Sequence, residues 1–165
     1  MSKEKSLRPL TDPEYLALAE FRYQLRRFLR HMEEAARGLD ANPQQYQLLL
    51  AIRGLPRDVT PTISRLAERM QLNHNSMVEL VDRCEENRLV RRARSGSDRR
   101  QVTLSLTAEG EGLLRRLGAA ARLELQETGP SLVGSIFRLT GESIPGKKAG
   151  TLTRPRTGGS RKAGP

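Results

Sequence analysis

The sequence predicts a mainly α-helical fold, a winged helix-turn-helix carried between longer helices, and three observations predict it. Apolar residues recur at three- and four-residue steps over most of residues 12–140. Two of those periodic runs are short and separated by about four residues, the spacing of a helix-turn-helix. The period then drops to two at Val102, Leu104 and Leu106, after a polar loop, which marks a hairpin beyond the second short helix.

The first helix starts at Thr11-Asp12-Pro13-Glu14, where a capping side chain, a proline in the first turn and a carboxylate at the positive helix end coincide. Leu18, Phe21, Leu25, Phe28, Leu29, Met32, Ala35 and Ala36 form its apolar stripe, and Gly38 ends it. Arg22, Arg26, Arg27 and Arg30 lie on the other side; they suit phosphates, although a charged side of a surface helix is more often simply solvated. Asn42-Pro43-Gln44-Gln45 repeats the start signal for a second helix, apolar at Tyr46, Leu48, Leu49, Leu50 and Ile52 and stopped by Gly54 and Pro56.

A third helix follows Thr60-Pro61-Thr62, with Ile63, Leu66, Ala67 and Met70 inward. After a break at Gln71-Leu72, Asn73 caps a fourth, running to Asn87 with Met77, Leu80, Val81 and Cys84 inward. Residues 89–94 pair with the strand at 102–106 across the loop Ser95 to Gln101, the wing. Thr107 caps a fifth helix with Glu109 and Glu111 in its first turn and Leu113, Leu114, Leu117, Ala120, Ala121 and Leu125 as its stripe. Gly129-Pro130 is expected to break it and leave a short sixth helix from Ser131 to about Leu139.

Composition narrows the function classes. A chain of 165 residues with 36% hydrophobic content supports one domain, residues 1–140, and no run approaches the roughly 20 apolar residues of a membrane span. The start MSKEKSLRPL has no apolar signal region, so a cytoplasmic protein is expected. One cysteine and two histidines argue against a disulfide and a closed zinc site, and no metal site is assigned. His31 and His74 sit in different helices, no carboxylate pair stands in an apolar setting, and no glycine-rich phosphate loop is present, so an enzyme is not expected.

The net charge of +10 points to a polyanionic partner, nucleic acid before an anionic membrane. Half of that charge sits in residues 141–165, where Lys147, Lys148, Arg154, Arg156, Arg161 and Lys162 face Glu142 alone. This Gly/Pro-rich stretch has few large apolar side chains and is expected to be a disordered basic tail.

On the fourth helix, the inward set leaves His74, Asn75 and Ser76 exposed in the first turn and Glu79 and Arg83 beyond it. Asn pairs with adenine, Glu accepts from cytosine, Ser is permissive and Arg holds guanine or backbone, so this face suits the major groove of double-stranded DNA. An ordinary solvated face after a cap fits equally well from this helix alone. The wing loop adds Asp98, Arg99 and Arg100, and protruding arginines suit a narrow, negative minor groove. At the start of the third helix, Thr62, Ser64 and Arg65 are candidates for the phosphate backbone.

At this point the sequence resembles the MarR family of bacterial transcriptional regulators. The resemblance lies in Leu66-Ala67-Glu68-Arg69-Met70, in Leu80-Val81-Asp82-Arg83 followed by Glu85-Glu86-Asn87-Arg88-Leu89-Val90, and above all in Asp98-Arg99-Arg100 through Val102, Leu104, Leu106-Thr107 and Gly110. It implies a homodimer whose first, fifth and sixth helices interlock, with residues 12–40 and 107–140 as the dimerisation region and 43–106 as the winged helix-turn-helix. It further implies repression at a pseudo-palindromic operator, with Arg100 in the minor groove, Asp98 orienting it and Arg99 near the backbone.

Many such proteins release DNA when a small, often aromatic or phenolic, effector enters a pocket. Phe28, His31, Met32 and Tyr46 are the candidate lining here, and no other cofactor is implied. Two departures stand out: Glu79 replaces an arginine common in relatives, and Arg88 replaces the usual glycine before Leu89-Val90. Some relatives sense oxidants through a first-helix cysteine, whereas Cys84 falls in the inward phase of the fourth helix. The competing readings are a non-specific basic nucleic-acid binder driven by the tail and a winged-helix interaction module.

Overall fold

The computed structural model describes residues 8–94 and 102–141. In order these form α1 (Asp12–Arg37), α2 (Pro43–Arg53), α3 (Ile63–Met70), α4 (His74–Glu86), β1 (Val90–Arg94), β2 (Val102–Leu106) and α5 (Ala108–Thr140). The mainly helical winged helix-turn-helix expected from the periodicities is the fold observed. The wing loop with Asp98, Arg99 and Arg100, and the tail from residue 142 on, lie outside the described residues.

Local side-chain chemistry sets most boundaries. The Glu14 carboxylate accepts from the Thr11 backbone amide at 2.8 Å and from the Thr11 hydroxyl at 2.9 Å. Asn42 accepts from the Gln44 amide at 2.8 Å while Gln45 reaches back to the Asn42 amide at 3.1 Å. Thr62, Asn73 and Thr107 accept from the amides of Arg65, Ser76 and Gly110 respectively. Each cap satisfies donors that a helix start otherwise leaves open.

The core gathers Leu48 and Leu49 of α2, Leu66 of α3, Met77, Leu80, Val81 and Cys84 of α4, Val90 and Leu104 of the hairpin, and Leu113 and Leu117 of α5. β1 and β2 pair antiparallel, with Val90 opposite Leu106 and Arg92 opposite Leu104. β2 is tied on its other edge to the start of α3, through Leu104 N–H to the Pro61 carbonyl at 2.9 Å and a bridge from Thr103 to Thr62. Gly110 lets α5 leave the hairpin, since a Cβ there would stand 2.0 Å from the Leu89 carbonyl oxygen.

Two expectations are corrected. Gly129-Pro130 does not end the fifth helix: α5 runs unbroken through Pro130 to Thr140, and the separate sixth helix is its last part. A proline inside a helix forfeits one hydrogen bond and costs about 3 kcal/mol. Here α1 packs along α5, and the ion pairs of Arg27 with Glu124 and Glu127 hold the segment before the proline. The helix then continues to a left-handed cap at Gly141.

The second correction concerns the apolar stripes of the long helices. Leu25 and Leu29 of α1, Leu50 of α2 and Leu125 of α5 are exposed in the single chain. Between α1 and α5 the buried positions include Gln24 and Glu124 instead, and one oxygen of each lacks a hydrogen-bond partner. The Glu124 carboxylate is only 7% exposed, with Arg27 as ion-pair partner at 3.5 Å and His31 Nδ1 at 3.6 Å.

Candidate nucleic-acid interface

α4 follows α3 after a left-handed Gln71, whose side chain donates to the Glu68 carbonyl at 2.8 Å. The inward phase of α4 is sealed by Met77, Leu80, Val81 and Cys84, all buried. Its outward phase exposes His74, Asn75, Glu79 and Arg83, with Ser76 half-buried at the cap. Among the described residues, none of the four exposed side chains makes a hydrogen bond or ion pair with another. Polar groups held on a rigid helix and left without internal partners are available to an external one.

Next to the first turn of α4 lies a groove of about 670 Å³ lined by Thr62, Ile63, Ser64, Arg65, Glu68, His74 and Val102. It brings the candidate residues of the third-helix start together with His74, beside the strand that emerges from the wing loop. Ser64 and Arg65 are exposed there, while Thr62 is buried and its hydroxyl caps α3. Asn75, Glu79 and Arg83 stand outside the groove, farther along α4. Glu68, absent from the sequence-derived candidates, contributes a carboxylate to its wall.

The wing is fastened to α4 by charged groups that sequence reasoning missed. Arg92 Nη1 donates to Glu85 Oε2 at 2.7 Å and Nη2 to Asp82 Oδ1 at 2.5 Å, while the Arg92 backbone amide donates to Glu85 Oε1 at 3.1 Å. Burial works against the Arg92 charge, but the hydrogen bonds to Asp82 and Glu85 outweigh it and raise its pKa above the ordinary guanidinium value. The available signal was periodicity: Arg92 shares its strand face with buried Val90, where an unpartnered charge would be costly.

The effector candidates range from the core to the surface of α1. Met32 and Tyr46 belong to the core, Phe28 packs partly buried against it, and His31 is exposed on α1 beside Glu124. A concavity of about 630 Å³ lies between the α1–α2 turn, the end of α4 and the start of α5, with Leu39, Ala41, Asn87, Leu89, Leu113 and Arg116 among its walls. Burial pushes the Cys84 thiol up to about 12, which keeps it protonated. Among the described residues, no group of three or more His, Cys, Asp or Glu side chains is placed to hold a metal ion.

Residues 39–101 match the sequence profile of the MarR family. The chain is 33% identical over 63 residues to the HTH-type transcriptional repressor MdtR of Bacillus subtilis; the match covers 38% of this chain and 41% of that protein. Among solved structures it resembles Sco3205, a MarR family transcriptional regulator from Streptomyces coelicolor in complex with DNA, with a TM-score of 0.62 and 23% identity over 84% of this chain and 91% of that one. AbsC, a MarR family transcriptional regulator of the same organism, also gives a TM-score of 0.62 at 23% identity, covering 76% of this chain and 84% of that one. The structural likenesses establish the fold, and the sequence match runs from the turn after α1 to residue 101. Residues 39–101 thus carry the MarR family's sequence pattern, within a chain whose fold is that of solved MarR family regulators.

Proposed function

We propose that the chain is a sequence-specific, double-stranded DNA-binding transcriptional regulator, acting as a homodimer and most simply as a repressor. The observation that carries this reading is the first turn of α4, with exposed and internally unpartnered His74 and Asn75 next to the Ser64 and Arg65 groove. In it α4 reads base edges in the major groove, the start of α3 holds the backbone, and Arg100, with Asp98 and Arg99, serves the minor groove. MdtR, named a repressor, and Sco3205, bound to DNA, support the same direction.

Dimerisation is supported by apolar surface that one chain leaves uncovered. Leu16 and Tyr23 of α1 are 74% and 60% exposed, and Leu123 and Phe137 of α5 are 68% and 48% exposed. A second copy laid against these helices would bury them and set two reading heads on one duplex. Release by a small aromatic or phenolic effector completes the reading. The 630 Å³ concavity touches both the end of α4 and the start of α5, so a ligand there would bear on the reading head.

Selection from a random duplex library, with light scattering on the free protein, tests the whole reading. Expected are an enriched pseudo-palindrome, its half-sites about one helical turn or a multiple apart, and twice the chain mass in solution. A monomer with equal affinity for every duplex would contradict it and favour non-specific binding through the basic tail.

A further inference from the structure

We infer that Arg92 is a positioning residue that sets the angle between the recognition helix and the wing, so that one duplex can be held by both. The inference rests on the DNA-binding reading above. A two-stranded ribbon of five-residue strands has little stability of its own and takes its orientation from what it is tied to. The β2 edge is tied to the start of α3 through Pro61 and Thr62. The β1 edge is tied to α4 by Arg92.

The tie has the geometry of a two-point clamp. Asp82 and Glu85 are three residues apart, so their side chains are neighbours on one flank of α4, about one turn beyond Glu79 and about two beyond Asn75. The planar guanidinium spans them, one terminal nitrogen to each carboxylate, and the backbone amide of the same residue fixes the strand itself to Glu85. Arg92 is 28% exposed while Asp82 and Glu85 are 49% and 40% exposed, so solvent screens the pair charges in part and it is the two-point geometry that fixes the strand. With both edges fastened, a rotation of the wing against α4 must break either the clamp or the strand-to-α3 bonds.

The same guanidinium sets its charge against two carboxylates that would otherwise repel phosphates beside the reading face. Charge neutralisation and aim can be separated by experiment, because only aim acts through the wing tip. Four proteins are compared on a duplex recovered by selection with the parent: the parent, Arg92→Gln, Arg100→Ala and the double variant. Arg92→Gln is expected to weaken binding about tenfold, and the double variant to bind no more weakly than the weaker single variant. Arg92→Lys, which keeps the charge but cannot span both carboxylates, falls between parent and Arg92→Gln. Amide exchange in the free Arg92→Gln protein should quicken in residues 90–94 and 102–106 and stay unchanged in α1 and α5.

Parental binding by Arg92→Gln, or losses that multiply in the double variant, would overturn the inference. If Arg92→Gln does not fold, Asp82→Asn and Glu85→Gln take its place, each expected to give part of the loss and the same non-additivity with Arg100→Ala. The two readings fail differently. Arg100→Ala losing affinity while Arg92→Gln does not sinks only the positioning role, whereas a silent Arg100→Ala removes the wing from the DNA-binding reading and the positioning role with it.

Discussion

Arg88 sits at φ 55, in the left-handed region, at the end of α4 where the chain turns into β1. Its amide donates to the Glu85 carbonyl at 2.9 Å and the next amide, of Leu89, to the Cys84 carbonyl at 2.8 Å, so the helix end requires that conformation. An L side chain pays for it, and glycine does not. Arg88→Gly should therefore raise unfolding stability by about 1 kcal/mol, less any loss from the freer unfolded chain, as read by denaturant titration. Arginine's own propensities announce none of this; the family resemblance flagged the position as a departure, and the backbone angle supplies the reason. Cys84 makes the opposite case, since its inward phase was legible and its burial raises the thiol to about 12. The native protein should resist alkylation by iodoacetamide at pH 8 and react only when unfolded; rapid native labelling would show that the core opens at α4.

At the scale of elements, caps are where sequence and structure agree most closely, because a cap is decided by three or four adjacent residues. The Glu14 carboxyl illustrates the strength of that local chemistry. Its hydrogen bond with Arg8, followed by that from the Thr11 amide, holds it at about 2 against an ordinary value of 4.5. A carboxyl depressed on folding stabilises the folded form above its unfolded pKa and loses that contribution as pH falls through the folded one. The first turn of α1 should accordingly loosen between pH 4.5 and about 2, visible as faster amide exchange at residues 12–18 with the rest of α1 protected. An unchanged exchange pattern across that window would mean the cap does not hold the turn.

Pro130 marks where local rules stop deciding. Gly129-Pro130 carries every sign of a helix end, yet α5 continues, with α1 lying along it and Arg27 paired with Glu124 and Glu127 just before the proline. The Arg92 clamp was hidden for a related reason. Strand periodicity turned Arg92 inward, but the two carboxylates that receive it belong to another element, and only the fold brings them together.

For the whole molecule, the reading head was legible and the assembly was not. Helix spacing and the change of period located α3, α4 and the wing, whereas the way α1 and α5 leave Leu16, Tyr23 and Leu123 uncovered depends on which side of each stripe the chain covers itself. The same packing buries Glu124 and Gln24 where an amphipathic pattern would place apolar side chains. DNA recognition by α4 and the wing is the claim on which the function stands. Affinity and salt dependence of Asn75→Ala and Arg100→Ala, measured on a duplex selected by the parent, test it most directly. Asn75→Ala should cost about 1 to 3 kcal/mol and relax base choice, and Arg100→Ala should weaken binding and lower the salt slope by about 1. Parental affinity, specificity and salt slope in both variants would contradict it.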